Sequence, residues 1–218
     1  MIKNLISRYH FHLSSRDYRV SAAFSAAAFI FSILVSYYAI GYATRTASNA
    51  VTDIVLSNIP IYNVDGVFVY GTLIFIAFVT LLCIYHPRRI PFILYSLSVF
   101  WFIRSLFTML THIGPFPVQT PFDLSVNLGS FVLRFFTGND LFFSAHTGVP
   151  FLLALLFWQE RALRYIFLAC SVFFGVIVLM GHYHYSIDVL SAFFITYSIY
   201  HLCAWLFPRE QELFRQEL

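Results

Sequence analysis

The sequence predicts an all-α integral membrane bundle of six transmembrane helices with both termini in the cytoplasm. Three observations carry this expectation. The first is composition: of 218 residues, 60% are hydrophobic and only 11% are charged, with a mean hydropathy of +0.77. Soluble domains run near 45–50% apolar and about 25% charged, so this chain has too little charge to cover a water-facing surface. The second is segmentation. Six stretches, residues 20–42, 67–85, 91–111, 141–158, 163–181 and 186–207, approach or exceed the length a bilayer requires. A hydrocarbon core of about 30 Å needs roughly 20 apolar residues at about 1.5 Å each. The third is the sorting of basic residues, which sets orientation.

The stretches are too long and too uniformly apolar for the alternating strands of an outer-membrane barrel. Helices also satisfy every backbone group without water. The first stretch follows Lys3, Arg8, Arg16 and Arg19 but is not followed by a small-residue cleavage site, so it reads as a retained span. The turn after the second holds Arg88 and Arg89, and the turn after the fourth holds Arg161 and Arg164. The end of the chain adds Arg209 and Arg215. Ten basic residues thus fall on one side, against Arg45 and Arg134 on the other, with Arg104 inside the third span. The positive side is the cytoplasm. The expected organisation is a cytoplasmic tail over residues 1–19, one membrane domain over 20–207 and a second tail over 208–218. Three loops face outward: 43–66, the Pro- and Gly-containing 112–140, and a tight turn at 182–185.

A net charge of +3 gives no argument for nucleic acid as a partner. Cys83, Cys170 and Cys203 lie inside apolar runs with no metal or disulfide spacing and read as packing residues. Homo-oligomer formation is left open.

Ionisable groups at membrane depth are costly, so each is a functional candidate. Arg104, His146, His182, His184 and Asp188 fall at one depth, the outer boundary, from three hairpins. His184 and Asp188 are four apart, which puts them on one face of a helix. A carboxylate there fixes the tautomer of the imidazole and leaves its other nitrogen as nucleophile or base. His146 is the expected acid/base partner. Ser144 is placed to cap the fourth helix, whose N-terminus favours an anion, and to donate to a phosphoryl oxygen. Arg104 is a candidate phosphate fork, set against pairing with backbone or a loop carboxylate. Arg134 is a further candidate. Asp53, Asp65, Asp123 and Asp140 read as solvated loop charges. His10, His12, His86, His112 and His201 read as tail or span-end residues.

These motifs resemble a known family. Asn139-Asp140-Leu141-Phe142-Phe143-Ser144-Ala145-His146-Thr147-Gly148 is similar to the second signature of the type 2 phosphatidic acid phosphatase superfamily. Gly181-His182-Tyr183-His184-Tyr185-Ser186-Ile187-Asp188-Val189 resembles the third, with its His 38 residues after His146. The branch it looks most like is the sphingomyelin synthase-related group, which also carries a stretch similar to Arg104-Ser105-Leu106-Phe107-Thr108 with a following proline, here Pro115. Ala145 stands where the family has Gly, and the superfamily's first signature, a Lys followed by Arg-Pro, is absent before His146. The branch lacks it too.

The resemblance implies a six-span bundle with its active site on the exoplasmic face of a cell membrane. It implies a two-step reaction in which His184 attacks phosphorus, Asp188 orients it and His146 protonates the departing oxygen. Donors would be phospholipid or lipid-phosphate headgroups; acceptors would be ceramide, diacylglycerol or water. No metal or other cofactor is implied, because Arg, Ser and helix N–H groups can neutralise the equatorial oxygens. The readings set against it are a lipid phosphate phosphatase, a metal- or haem-binding membrane protein using His146, His182, His184 and Asp188, and a transporter or scaffold.

Overall fold

The computed structural model describes residues 2–118, 135–136 and 140–216. Among these it is all helical: α1 Ile2–Ser14, α2 Arg16–Thr46, α3 Asp65–Tyr85, α4 Ile90–Leu110, α5 Ala145–Leu156, α6 Arg161–Met180, α7 Ser186–Leu206 and α8 Pro208–Arg215, with a 3-10 turn at Pro87–Arg89 leading into α4. Five of them are long and apolar enough to cross a membrane: α2, α3, α4 with its leading turn, α6 and α7. Their outward faces carry large apolar side chains such as Phe24, Ile74, Phe194 and Trp205, as lipid contact requires.

The fourth predicted stretch is shorter than expected. Instead of filling 141–158, α5 has 12 residues, about 18 Å at 1.5 Å per residue. Hydropathy cannot tell Leu141, Phe142 and Phe143 from helix. Ser144, however, is extended at ψ 120° and accepts from Thr147 N at 3.4 Å, so the helix starts only after it. At the other end a turn over Phe157–Glu160 leads into α6.

Packing follows the small residues. Ser25, Ser32, Ser36, Ala39 and Ala43 form a buried stripe on α2 at spacings of three, four and seven. This stripe lets α2 pack closely along α4. That packing fixes α4, the helix that carries Arg104. The main core lies between α4, α5, α6 and α7 around Phe100, Leu152, Phe157, Phe167 and Ile199. Gly148 has no room for a side chain, since a Cβ would stand 2.7 Å from the Phe100 ring and 2.9 Å from Thr196 Oγ1.

The two expected tails are ordered where described. Residues 2–14 form α1, and Pro208–Arg215 forms α8, whose Phe214 is buried. The buried Arg89 guanidinium lies 5.3 Å from the Phe157 ring and 5.2 Å from the Phe214 ring. It also pairs with Glu160 at 2.7 Å. Arg89 thereby closes the end of the bundle remote from the histidine motifs.

Candidate active site

The site is built where the short α5 begins. Ser171 Oγ, at the middle of α6, donates to Thr147 O at 2.7 Å, so the first turn of α5 packs beside the C-terminal half of α6. From Gly175, which packs on Thr147, α6 runs on to Met180, a further rise of about 7.5 Å. His146 is therefore recessed beneath the end of α6. The turn after α6 folds back to the same level: Tyr183 N and His184 N both point to Val178 O, at 2.9 and 3.4 Å. The chain meets itself again where Ser144 N donates to Asp188 O at 3.0 Å.

His184 precedes α7 instead of lying on it. Tyr185 is the N-cap and Ser186 the first helical residue. The expected pair forms all the same, with His184 Nδ1 3.1 Å from Asp188 Oδ2. The same oxygen accepts from Tyr185 N at 3.1 Å, the backbone half of a capping box. Asp188 is thus fixed by its own helix start, and it fixes the ring in turn. Asp188 is fully buried and His184 is 4% exposed. Asp188 Oδ1 is buried without a partner among the described residues.

His146 packs its ring against Phe68 of α3, with centroids 4.3 Å apart. Its buried Nδ1 has no partner among the described residues. His146 and His184 lie within electrostatic reach of each other and of Asp140; Arg104 reaches His146 and Asp140 as well. Ser144 is fully buried and caps α5.

Arg104 is 1% exposed. Its Nε donates to Phe143 O at 3.0 Å, and its Nη2 donates to Asp140 O at 2.9 Å and to Asp140 Oδ2 at 2.6 Å. Its Nη1 is buried with no partner among the described residues. Of the two readings the sequence left open, the contacts seen are those with backbone and a loop carboxylate. Arg134 and Asp123 lie outside the described residues. His182 turns aside: its Nδ1 is 2.9 Å from Val118 O. Among the described residues, positive φ outside glycine occurs only at Phe142 (143°) and His182 (55°). Each flanks one site motif, and such outliers persist where surrounding structure over-determines them.

Three carboxylates are not the solvated charges expected. Asp140 pairs with Arg104. Burial alone would raise its carboxyl, but the Arg104 guanidinium and the two nearby imidazoles outweigh that and hold it below the usual range. Asp65 is buried and takes the Tyr183 hydroxyl. Asp53 is buried and reaches the N-terminus of α7, accepting from Ser186 N at 2.6 Å, Val55 N at 2.8 Å and Leu56 N at 3.0 Å. Burial pushes the Asp53 carboxyl up, yet these hydrogen bonds win and lower it below 3.8. A lowered folded value means that Asp53 stabilises the fold above its unfolded value. That contribution is lost as pH falls through the folded one. Asp53→Asn is expected to lower Tm at pH 7 by roughly 2–4 °C, with the gap from wild type closing below about pH 3.8. Melting curves at both pH values check this, and equal Tm at pH 7 would contradict it.

Among the described residues no group of three or more His, Cys, Asp or Glu side chains is placed to hold a metal ion.

Comparison with known proteins adds the following. Residues 137–205, a stretch containing His146, His184 and Asp188, match the family model for the PAP2 superfamily C-terminal region. This match supports the superfamily that the two motifs resemble. A protein of Methanocaldococcus jannaschii, described as uncharacterized, is 32% identical over 109 residues, covering 50% of this chain and 45% of the relative. The chain thus spans a little under half the length of that curated relative. No solved structure matches.

Proposed function

We propose that this chain is an integral-membrane lipid phosphotransferase or phosphoesterase related to the sphingomyelin synthases. The observation that carries the reading is the buried His184–Asp188 pair with His146 in electrostatic reach across the start of α5. The family match over residues 137–205 supports it. An imidazole with Nδ1 held by a carboxylate presents Nε2 as a nucleophile. His184 Nε2 forms a bond to phosphorus as the bond from phosphorus to the leaving oxygen breaks, and His146 gives that oxygen a proton. An acceptor hydroxyl then returns a proton to His146. Its oxygen bonds to phosphorus as the bond to His184 breaks, which restores the enzyme. Arg104 and Ser144 neutralise phosphoryl oxygens.

Transfer to a lipid alcohol, ceramide or diacylglycerol, is favoured over hydrolysis by burial. Arg104, His184 and Asp188 are each 4% exposed or less, and a phosphohistidine survives only where water is kept out. In this reading α5 counts as a sixth, shortened crossing, both termini are cytoplasmic, and the site opens to the exoplasmic leaflet of a cell membrane, where headgroups already sit. The test is product analysis in proteoliposomes with headgroup-labelled phosphatidylcholine or phosphatidylethanolamine, plus ceramide or diacylglycerol. A labelled new lipid is the expected product. Water-soluble headgroup or phosphate alone would rule out transfer and leave a hydrolase with water as acceptor. Neither product would end the reading.

A further inference from the structure

The phosphate fork of this site is already occupied. Of the three nitrogens of the Arg104 guanidinium, Nε is committed to Phe143 O and Nη2 to Asp140, while Nη1 is buried without a partner among the described residues. Bidentate recognition of a phosphoryl group needs two neighbouring N–H vectors. A phosphate reaching Nη1 gains its second bond only by taking the place of the Asp140 carboxylate on Nη2. Among the described residues Arg104 is the permanent cation acting on His146, so the exchange takes place against a fixed and small positive charge. The backbone of Asp188 meets Ser144, next to the Phe143 carbonyl that Arg104 holds, and its carboxylate is tied to the α7 start.

We propose that Asp140 is a resident stand-in for the substrate phosphate, and that by this exchange it selects phosphodiesters over phosphate monoesters. The proposal rests on the phosphoryl-transfer reading above and narrows its substrate class. The charge balance gives the reason. A phosphodiester carries one negative charge, so it replaces a carboxylate on Arg104 without changing the charge held there. A monoester carries about −1.5 to −2 near pH 7. It brings extra negative charge beside Asp140 and Asp188, in a buried site where like charges repel strongly. The displaced Asp140 carboxylate repels either ester, but it repels the doubly charged monoester about twice as strongly, and that difference is what Asp140 adds to the discrimination. Asp140 is therefore a specificity-determining residue, not a solvated loop charge.

The experiment compares, in proteoliposomes, a panel of phosphatidylcholine, phosphatidylethanolamine and phosphatidylglycerol against phosphatidic acid with the same acyl chains. Wild type, Asp140→Asn and Asp140→Glu are each assayed. Wild type is expected to favour its best diester by about tenfold or more in kcat/KM. Asp140→Asn is expected to shrink that ratio about tenfold, and Asp140→Glu to keep it, since the carboxylate sets the discrimination. Wild type favouring phosphatidic acid, or an unchanged ratio in Asp140→Asn, would overturn the assignment while leaving the phosphoryl-transfer reading intact. Wild type acting on neither class would overturn both. If Asp140→Asn does not fold, inhibition of wild-type diester turnover decides: dimethyl phosphate should inhibit more strongly than inorganic phosphate at pH 7.5, and the reverse order would overturn the proposal.

Discussion

His184→Ala is expected to lose about 10⁴-fold or more of headgroup turnover, the scale of removing a nucleophile that acts as a unit with its partners. The structure makes the loss specific to chemistry. His184 packs in the turn after α6, and its backbone position is held by Val178 O and by the Tyr185 cap, neither of which needs the imidazole. What the fold does lose is one of the two hydrogen bonds that described residues make to a fully buried carboxylate, a cost of about 1–3 kcal/mol. His184→Gln guards against that cost. Its amide can still donate to Asp188 but offers no nucleophilic nitrogen. Both variants are expected to be inactive, with His184→Gln nearer wild type in Tm. With phosphorus-labelled donor, wild type should trap an acid-labile label on the protein and both variants should not. More than a tenth of wild-type turnover in His184→Gln would remove His184 from the nucleophile's role.

The legibility of this site followed sequence distance. His184 and Asp188 are four residues apart, and any local conformation that turns once brings them together; this one does so through a cap in place of a helical face. Ser144 as a cap was equally local. Arg104 and Asp140 are 36 residues apart, and a lone carboxylate in a loop is ordinarily solvated. Nothing local marks Asp140 as the partner. Asp65 escapes for the same reason, its partner Tyr183 lying 118 residues away. Asp53 is partly local, with Val55 N and Leu56 N two and three residues on, but the Ser186 N that ties it to α7 is 133 residues away. The expected and observed bounds differ most at α5, where apolar character continues through Leu141–Phe143 but the helix begins only at Ala145. That difference matters because the late helix start is what sinks His146 beneath the end of α6.

The second large effect concerns Asp188, where alanine and asparagine should separate. Asp188→Ala removes the acceptor of both His184 Nδ1 and Tyr185 N. It frees the ring and uncaps α7, and a loss of about 10⁴-fold is expected, as for other imidazoles stripped of an orienting carboxylate. Asparagine is a different case. An amide in the wrong orientation would face the Tyr185 N–H with its own NH₂, two donors opposed within a buried site. The backbone therefore forces the amide oxygen into the place of Oδ2, where it still accepts from His184. The tautomer survives and only the negative charge is lost, along with a cost for burying the NH₂ where Oδ1 now has no partner. Asp188→Asn should then fall by only about 10²–10³-fold, the size of a lost electrostatic stabiliser. Initial rates in proteoliposomes for both variants test this. Asp188→Asn as inactive as Asp188→Ala would mean that the Tyr185 N–H does not hold the amide, and that tautomer control, not charge, is what Asp188 chiefly supplies.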